Sequence, residues 1–546
     1  MLIFDFESFF KQFLYDPKNP LLFNNGFFVF FFAIFIGLYY HFRQNIKIRR
    51  YIFCLFSVYF FYKASGVFVL FVILSAIVDY VLSNAIYRQK NLFKRKVLLV
   101  ASILFNLGLL FYFKYTNFFI ETLNSVFKFG FNPLNILLPV GISFYTFENL
   151  SYTIDVYRGQ FEPARKFSDY LLFLSFFPKL VMGPIVRAHD FVPQINQPYN
   201  ISENDFAKGF YLILSGLFKK LIISDYITLN FVDYIFDNPG SHTGLENLFA
   251  VYGYAVVIYC DFSGYSDVAI GIAKWLGFNI PANFKSPYQS KNITEFWRRW
   301  HISLSSWLRD YLYIPIGGNK KGTFTTWFIS FIFFSSIFFA AYKRFNLSVL
   351  VSFSITITIL FLFVIPSIIT KEKKGISTNL NLLSTMLLGG LWHGASWNFI
   401  IWGALHGISL AVHKIWMLLT NTYLLNARSK YLYKGLSVLL TFHFVCFCWI
   451  FFKCSTIEDA FNMLQQIGFN FSYSTSTLFF TNYWQVIGIM AFAFILHAIP
   501  DDYSDLIIKK FENKPMLAYI SVFSIFLIIY GLFKSSEPVM PIYLQF

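Results

Sequence analysis

Apolar residues dominate this chain in runs of about twenty, and polar residues collect in short stretches between them, the length a helix needs to cross a bilayer's hydrocarbon core. Spans are expected near 22–42, 51–64, 67–86, 97–114 and 135–157, and again near 325–342, 347–369, 380–417 (two helical pieces), 435–453, 483–499 and 516–534. The apolar stretches near 168–187, 205–236 and 246–275 are interrupted by Pro178, Pro184, Lys219 and Lys220, which predicts broken or re-entrant helices there. Such backbone is tolerated at membrane depth only where protein or a wet cavity satisfies it. The fold class expected is all-α, a polytopic helical membrane protein with roughly 11–14 transmembrane or re-entrant helices. Neither a Gly/Ser linker nor a repeat divides the chain, so residues 1–546 are expected to form one transmembrane domain.

Composition excludes the soluble alternative: 57% of residues are hydrophobic, 22% aromatic and only 13% charged, with mean hydropathy +0.56. The first apolar segment is followed by many others and is expected to stay in the bilayer rather than be cleaved. A net charge of +16 raises the question of nucleic acid, but the lysines and arginines are scattered in short loops, where the positive-inside rule puts them. They are read as topology, with no nucleic-acid partner. HFRQNIKIRR (41–50) and YRQKNLFKRK (87–96) then lie in the cytoplasm and the N-terminal MLIFDFESFF outside. Cys54, Cys260, Cys446, Cys448 and Cys454 form no C-x-x-C pair, so neither a disulfide framework nor a metal site is expected.

Two stretches carry chemistry. The first, residues 261–322, sets Asp261 and Asp267 around Ser-Gly-Tyr in an apolar helix, then gathers Glu295, Arg298, Arg299, His301, Arg309 and Asp310 in a Trp-rich amphipathic segment. An interfacial helix anchored by Trp297, Trp300 and Trp307 accounts for most of it. It does not account for His301, nor for the turn from Gly317 to Gly322, whose amides and cations suit a phosphate-bearing ligand such as coenzyme A or a nucleotide. The second stretch, LLGGLWHGASWNFIIWG (387–403), buries His393 among lipid-compatible residues. An unsatisfied polar group in hydrocarbon costs about 2–7 kcal/mol, which marks this histidine either as a packing residue bonded to a neighbouring carbonyl or as part of a site. Asp155, Asp261 and Asp267 are intramembrane carboxylates expected to pair with an Arg or Lys across the bundle, and His406, thirteen residues beyond His393 and on a different helix face if the helix runs unbroken between them, is expected to be structural.

FWRRWHISLSSWLRDYLYIPIGGNKKG followed by LLGGLWHGASWNFIIWGALHG resembles the membrane-bound O-acyltransferase family, in the branch of the bacterial alginate O-acetyltransferase membrane subunit. LLPVGISFYTFENLSYTIDVYRG (137–159), FFPKLVMGPIVR (176–187), DFSGYSDVAIG (261–271) and the terminal VMPIYLQF agree in order, so the resemblance covers nearly the whole chain. It implies helices around a central funnel or tunnel, with the presumed catalytic histidine of the WHG motif at His393 and the second family histidine, of RWH, at His301. It also implies transfer of an acyl group, acetyl foremost, from cytoplasmic acetyl-coenzyme A to an exported polysaccharide such as alginate, directly or through an extracytoplasmic SGNH-like acetyltransferase. Peptidoglycan O-acetylation is the alternative within the family. A bacterial cytoplasmic membrane is implied by the branch.

Acyl transfer needs a base, and a histidine with unperturbed pKa near about 6.5 suits it. His393 is assigned as general base and His301 as its support. Arg298, Arg299 and Lys320 are candidates for attracting the donor's phosphates, with a topological explanation equally open, and Asn398 is a candidate oxyanion donor. Residues 323–378 depart from the family pattern as an inserted apolar hairpin ending in KEKK (371–374); it either crosses twice or, because Lys343 and Arg344 would sit on the outer turn, is re-entrant. A transporter is the rival from another class, since broken helices and buried carboxylates suit it as well.

Overall fold

The structure, a computed structural model, describes residues 11–17, 20–23, 25–344, 346–370, 374–423, 430–473, 476–500, 502–533 and 539–542. The N-terminal MLIFDFESFF, most of KEKK and the last four residues of VMPIYLQF lie outside them, as does the side chain of Arg344. The described residues are helical almost throughout, without strands. Among the described residues, eight helices are long and apolar enough to cross a membrane, nine if the pair Ser476–Asn482 and Trp484–Ala498, bent by 79°, is one span. Among the shorter helices, Gly26–His41 is apolar but only 16 residues long, and 167–195 is a run of short pieces, Phe167–Ser175, Phe177–Leu180 and Ala188–Ile195, with Pro178 in the first turn of the second piece and Pro184 in the gap that follows it.

Two expectations are corrected. Gly244–Trp275 is one unbroken helix of 32 residues. The stretch 205–236 is not broken at Lys219 and Lys220 but widened into π turns at Phe218–Ser224 and Thr228–Val232. A π bulge inserts a residue without ending the helix, which redirects side chains while keeping the backbone hydrogen-bonded.

The chain clusters into two compact units. The first comprises 1–226, 259–282 and 500–545. Several of its buried charges are paired. Lys219 bonds Asp267 at 2.7 Å, and Lys220 bonds both Asp225, at 2.8 Å, and Asp261, which also accepts the Ile542 amide at 2.9 Å. The aspartates thus find the lysines expected for them. Asp155 meets His189, at 3.4 Å. Lys179 of FFPK donates to Glu148 of YTFENL, both buried, and the Val186 amide completes that carboxylate at 3.2 Å. Arg49 and Arg50, read as topological charges, are buried: Arg50 pairs with Asp169 at 3.2 Å and Arg49 caps the carbonyls of Ile195 and Gln197.

The second unit comprises 227–258 and 283–499. The inserted hairpin belongs to it as two helices, Phe324–Phe339 and Val349–Thr370, and its apolar stretches Phe324–Lys343 and Val349–Ile369 are each long enough to cross. Phe363 joins Leu380, Leu383 and Leu387 of the following helix in one apolar cluster, with Phe333, Phe334 and Ile359 against it. The hairpin's other face, including Phe331 and Leu350, is exposed and suits lipid.

Candidate active site

His301 and His393 both lie in the second unit, on short-range geometry that the local sequence explains. NITEFWRR is a capped helix, Ile293–Arg299: Asn292 accepts the Glu295 amide at 2.8 Å, and Glu295 reaches back to the Lys291 amide at 3.0 Å. The helix stops at Trp300. His301 then takes a left-handed conformation, φ 41° and ψ 56°, as N-cap of Ile302–Leu308. For a residue with a Cβ this costs about 1–2 kcal/mol, and Asn283 offsets it by clamping the kink. The Asn283 carbonyl accepts the Ile302 amide at 2.9 Å, while its side-chain oxygen accepts from the Ser303 amide (3.3 Å), the Ser303 hydroxyl (2.8 Å) and His301 Nδ1 (3.2 Å).

Because the backbone amide of Ser303 fixes that Asn283 atom as an acceptor, Nδ1 of His301 must carry the proton. Nε2 then carries the lone pair, the tautomer a base or acceptor needs. The side chain is fully buried between spans, and burial pushes its pKa down to about 3. An imidazole whose folded pKa lies below its unfolded value loses its stabilising contribution as pH falls from about 6.5 toward 3. The ¹⁵N shifts of His301 should therefore stay those of a neutral Nδ1–H ring between about pH 5 and about pH 9; a titration within that window would refute the burial argument.

His393 is the last residue of the helix Lys374–His393. The chain breaks at residues 394–396 and resumes as Trp397–Tyr423, so the 380–417 stretch is the two helical pieces expected. Small residues let these helices meet: a Cβ on Gly390 would lie 2.2 Å from the Phe399 carbonyl oxygen, one on Gly394 would lie 1.9 Å from the Phe399 ring, and one on Gly403 would lie 2.4 Å from the Met386 carbonyl oxygen. Gly394→Ala overpacks this junction and should lower stability by about 1–3 kcal/mol in reversible unfolding; a neutral result would mean that the Phe399 ring moves freely aside. The His393 ring is 3% exposed and stands edge-on to Trp392, Trp402 and Phe452, with ring centroids 5.0, 5.0 and 5.3 Å away. His301 touches the same Trp392 indole from 6.1 Å. The two histidines, 92 positions apart in sequence, thus share one aromatic wall.

The other candidate residues separate. Arg299 is engaged by Glu295 at 2.7 Å, whereas Arg298 and Lys320 are exposed. The turn from Gly317 to Gly322 does not offer a row of amides: those of Gly317 and Gly318 donate to the Ile314 and Tyr313 carbonyls, those of Lys320 and Lys321 donate to the Gly317 carbonyl, and Asn381 holds the carbonyls of Gly318 and Lys321 at 2.8 and 2.9 Å. It presents a lysine side chain instead. Asn398 donates to the Cys454 carbonyl at 2.7 Å, joining the helices Trp397–Tyr423 and Tyr431–Lys453. Trp300 is no interfacial anchor, being 1% exposed and packed on Phe296 and Trp449, and Trp307 is also buried. The sequence reading missed Asn283, whose only signal was one amide in a polar loop, and the wall of Trp392, Trp402 and Phe452, which reads as lipid-facing helix.

Comparison with known proteins bears on this arrangement. Residues 165–354 match the model of MBOAT, the membrane-bound O-acyltransferase family. The chain is 33% identical to a "Peptidoglycan O-acetyltransferase" of Helicobacter pylori, over 72% of this chain and 69% of that protein. It is 36% identical to a "Probable alginate O-acetylase AlgI" of Pseudomonas aeruginosa, over 77% and 68%. A "Teichoic acid D-alanyltransferase" of Bacillus subtilis is 28% identical over 59% of this chain and 70% of its own length. Acyl transfer, not transport, is the chemistry these proteins share in name, and this chain, with two buried histidines against one indole in a multi-pass membrane protein, belongs to the membrane-bound O-acyltransferase family.

Proposed function

We propose that this acyltransferase moves an acetyl group from cytoplasmic acetyl-coenzyme A to a hydroxyl of an exported polysaccharide, directly or through an extracytoplasmic partner acetyltransferase, in a bacterial cytoplasmic membrane. The observation that carries the reading is the burial of His301 and His393 against Trp392 in a chain whose relatives are named for O-acetylation. In the proposed step His393 takes the proton of the acceptor hydroxyl, whose oxygen attacks the thioester carbonyl. A tetrahedral oxyanion forms, the C–S bond breaks, and the proton passes from the imidazolium to the leaving thiolate. The Nε2 lone pair of His301 orients the acceptor hydroxyl. Aromatic walls around His393 exclude water, which would otherwise compete as acceptor. A peptidoglycan acceptor is the second reading, favoured by the Helicobacter pylori relative.

Purified protein incubated with radiolabelled acetyl-coenzyme A and either alginate or peptidoglycan fragments should label one glycan, alone or on addition of an extracytoplasmic acetyltransferase. Label on neither would refute the acceptor class. Arg298 and Lys320 are proposed to draw the donor's phosphates. Arg298→Glu should then raise the KM for acetyl-coenzyme A by several-fold at low salt, and the difference should fade toward about 0.5 M salt as screening shortens the Debye length. A KM unchanged at low salt would assign Arg298 to topology alone.

A further inference from the structure

The first unit holds an apolar groove that the proposed reaction does not use. It encloses about 320 Å³ between Gly26–His41, Glu203–Leu217, the 268–275 end of Gly244–Trp275, and Met516–Phe533. Its floor is fixed because two of these helices meet at glycines. A Cβ on Gly271 would lie 2.7 Å from the Gly209 carbonyl oxygen, and one on Gly264 would lie 2.6 Å from that of Gly216. Phe210, Val268 and Ile272 on the floor are buried, whereas Val29, Met516 and Ile520 at the rim are exposed. The groove therefore opens sideways, toward lipid.

Its length matches one leaflet. From Phe206 to Leu217 it follows the helix for about 16 Å at 1.5 Å per residue, half of the roughly 30 Å hydrocarbon core. The leaflet is the cytoplasmic one. Trp275 lies at one end of the groove, where the Trp275 and Leu276 carbonyls accept from Tyr199 at 3.0 Å and Tyr39 at 2.7 Å. Tyr39 is near the end of Gly26–His41, which runs into the basic HFRQNIKIRR read as cytoplasmic. Trp275 and Tyr519 mark this mouth as interfacial: the indole donates to the Phe206 carbonyl at 3.0 Å and the phenol to the Phe511 carbonyl at 2.7 Å. Beside it the helix Asp502–Phe511 exposes Leu506 and Ile507 next to Lys509 and Lys510, which suits a membrane surface.

An empty slot in hydrocarbon forfeits dispersion contacts along its walls, so a lipid chain fills this one. The chain does not decide which lipid, because all lipid tails are as apolar as the walls. The headgroup decides, and the mouth carries both signs of charge. The Phe511 carbonyl that accepts the Tyr519 phenol also accepts the Lys514 amide at 3.1 Å, which sets the exposed Lys514 at the mouth. Asn204 donates to Glu512 at 3.4 Å, which brings the neighbouring, exposed Glu203 to the same turn. Asp205 is taken by Lys274 at 3.0 Å, and Asp502 and Asp505 lie in the first turn of their helix, away from the mouth. Lys514 suits a phosphate, and Glu203 suits an ammonium with N–H donors, which a quaternary ammonium lacks. We infer that this groove is a binding site for one phosphatidylethanolamine of the cytoplasmic leaflet, with an acyl chain along the floor, the phosphate at Lys514 and the primary ammonium at Glu203. The site uses neither His301 nor His393 and stands apart from the proposed reaction.

The test is native mass spectrometry of the purified full-length protein, delipidated in detergent and then offered phosphatidylethanolamine, phosphatidylglycerol or phosphatidylcholine with identical acyl chains. The wild type should retain one phosphatidylethanolamine with a Kd about tenfold below those of the other two, the scale of one charge-assisted hydrogen bond. Equal retention of all three would show a groove filled without headgroup recognition and overturn the inference. A preference for phosphatidylglycerol would show that the lysines act alone and overturn it too. Two variants locate the lipid. Glu203→Gln should erase the preference over phosphatidylglycerol, and Val29→Trp, which fills the groove from its rim, should weaken all three lipids alike. An unchanged preference in the first or unchanged retention in the second would place the lipid elsewhere. Should Val29→Trp fail to fold, Lys514→Gln, at an exposed position, should weaken all three by loss of the phosphate contact, and unchanged binding there would refute the site.

Discussion

His393→Gln is expected to lower acyl transfer by about 10²- to 10⁴-fold, the range general-base catalysis supplies, while the melting temperature stays within a few degrees of the wild type. The glutamine amide occupies nearly the imidazole's volume against Trp392, Trp402 and Phe452 and retains hydrogen-bonding atoms, but it cannot take a proton near neutral pH. The loss should fall on kcat rather than on KM, because the base acts on the acceptor hydroxyl in the transition state and contributes little to binding the donor. Single-turnover transfer from acetyl-coenzyme A, with binding measured separately, makes the distinction. Near-wild-type kcat in a folded His393→Gln protein would remove the base assignment and return His393 to a packing role.

The second large effect is on stability. Lys220→Met should destabilise the protein by about 3–5 kcal/mol, because it leaves Asp225 and Asp261 buried without their cation. A buried ion pair contributes little compared with an apolar pair of the same shape, yet losing one member strands the other's charge in low dielectric. Lys220→Met combined with Asp225→Asn and Asp261→Asn should therefore recover much of the loss. Asparagine at position 261 still presents an oxygen to the Ile542 amide, so the contact with the C-terminal segment survives in the combined variant. Thermal unfolding of the three proteins in one detergent checks the pattern, and a single Lys220→Met variant as stable as the wild type would show that water reaches the cluster.

Much of this was legible from residue order. Runs of apolar residues fixed where helices lie, because every backbone group in hydrocarbon must be bonded within its own segment. Pro178 and Pro184 marked a real break, since proline removes a donor and ends a helix. The lysines at 219 and 220 misled, because a charge inside an apolar run reads as an interruption. Here each is neutralised by an aspartate from the same unit, so the helix bulges instead of stopping. The tryptophans of FWRRWH misled for a related reason: their amphipathic spacing suits a lipid interface, but Trp300 faces Phe296 and Trp449.

The sequence by itself determined the class of molecule, the approximate spans, the apolar hairpin after residue 323 and the two histidine motifs, because hydropathy, proline and motif order are local properties of the chain. Only the tertiary structure decided that His301 and His393 meet at Trp392, that Asn283 sets the His301 tautomer, and that His406 joins the same aromatic set through Trp402. Those are relations between segments tens to a hundred residues apart. They depend on a left-handed kink at His301 and a helix break after His393, conformations held by partners such as Asn283 and Phe399 that no local pattern in the chain names.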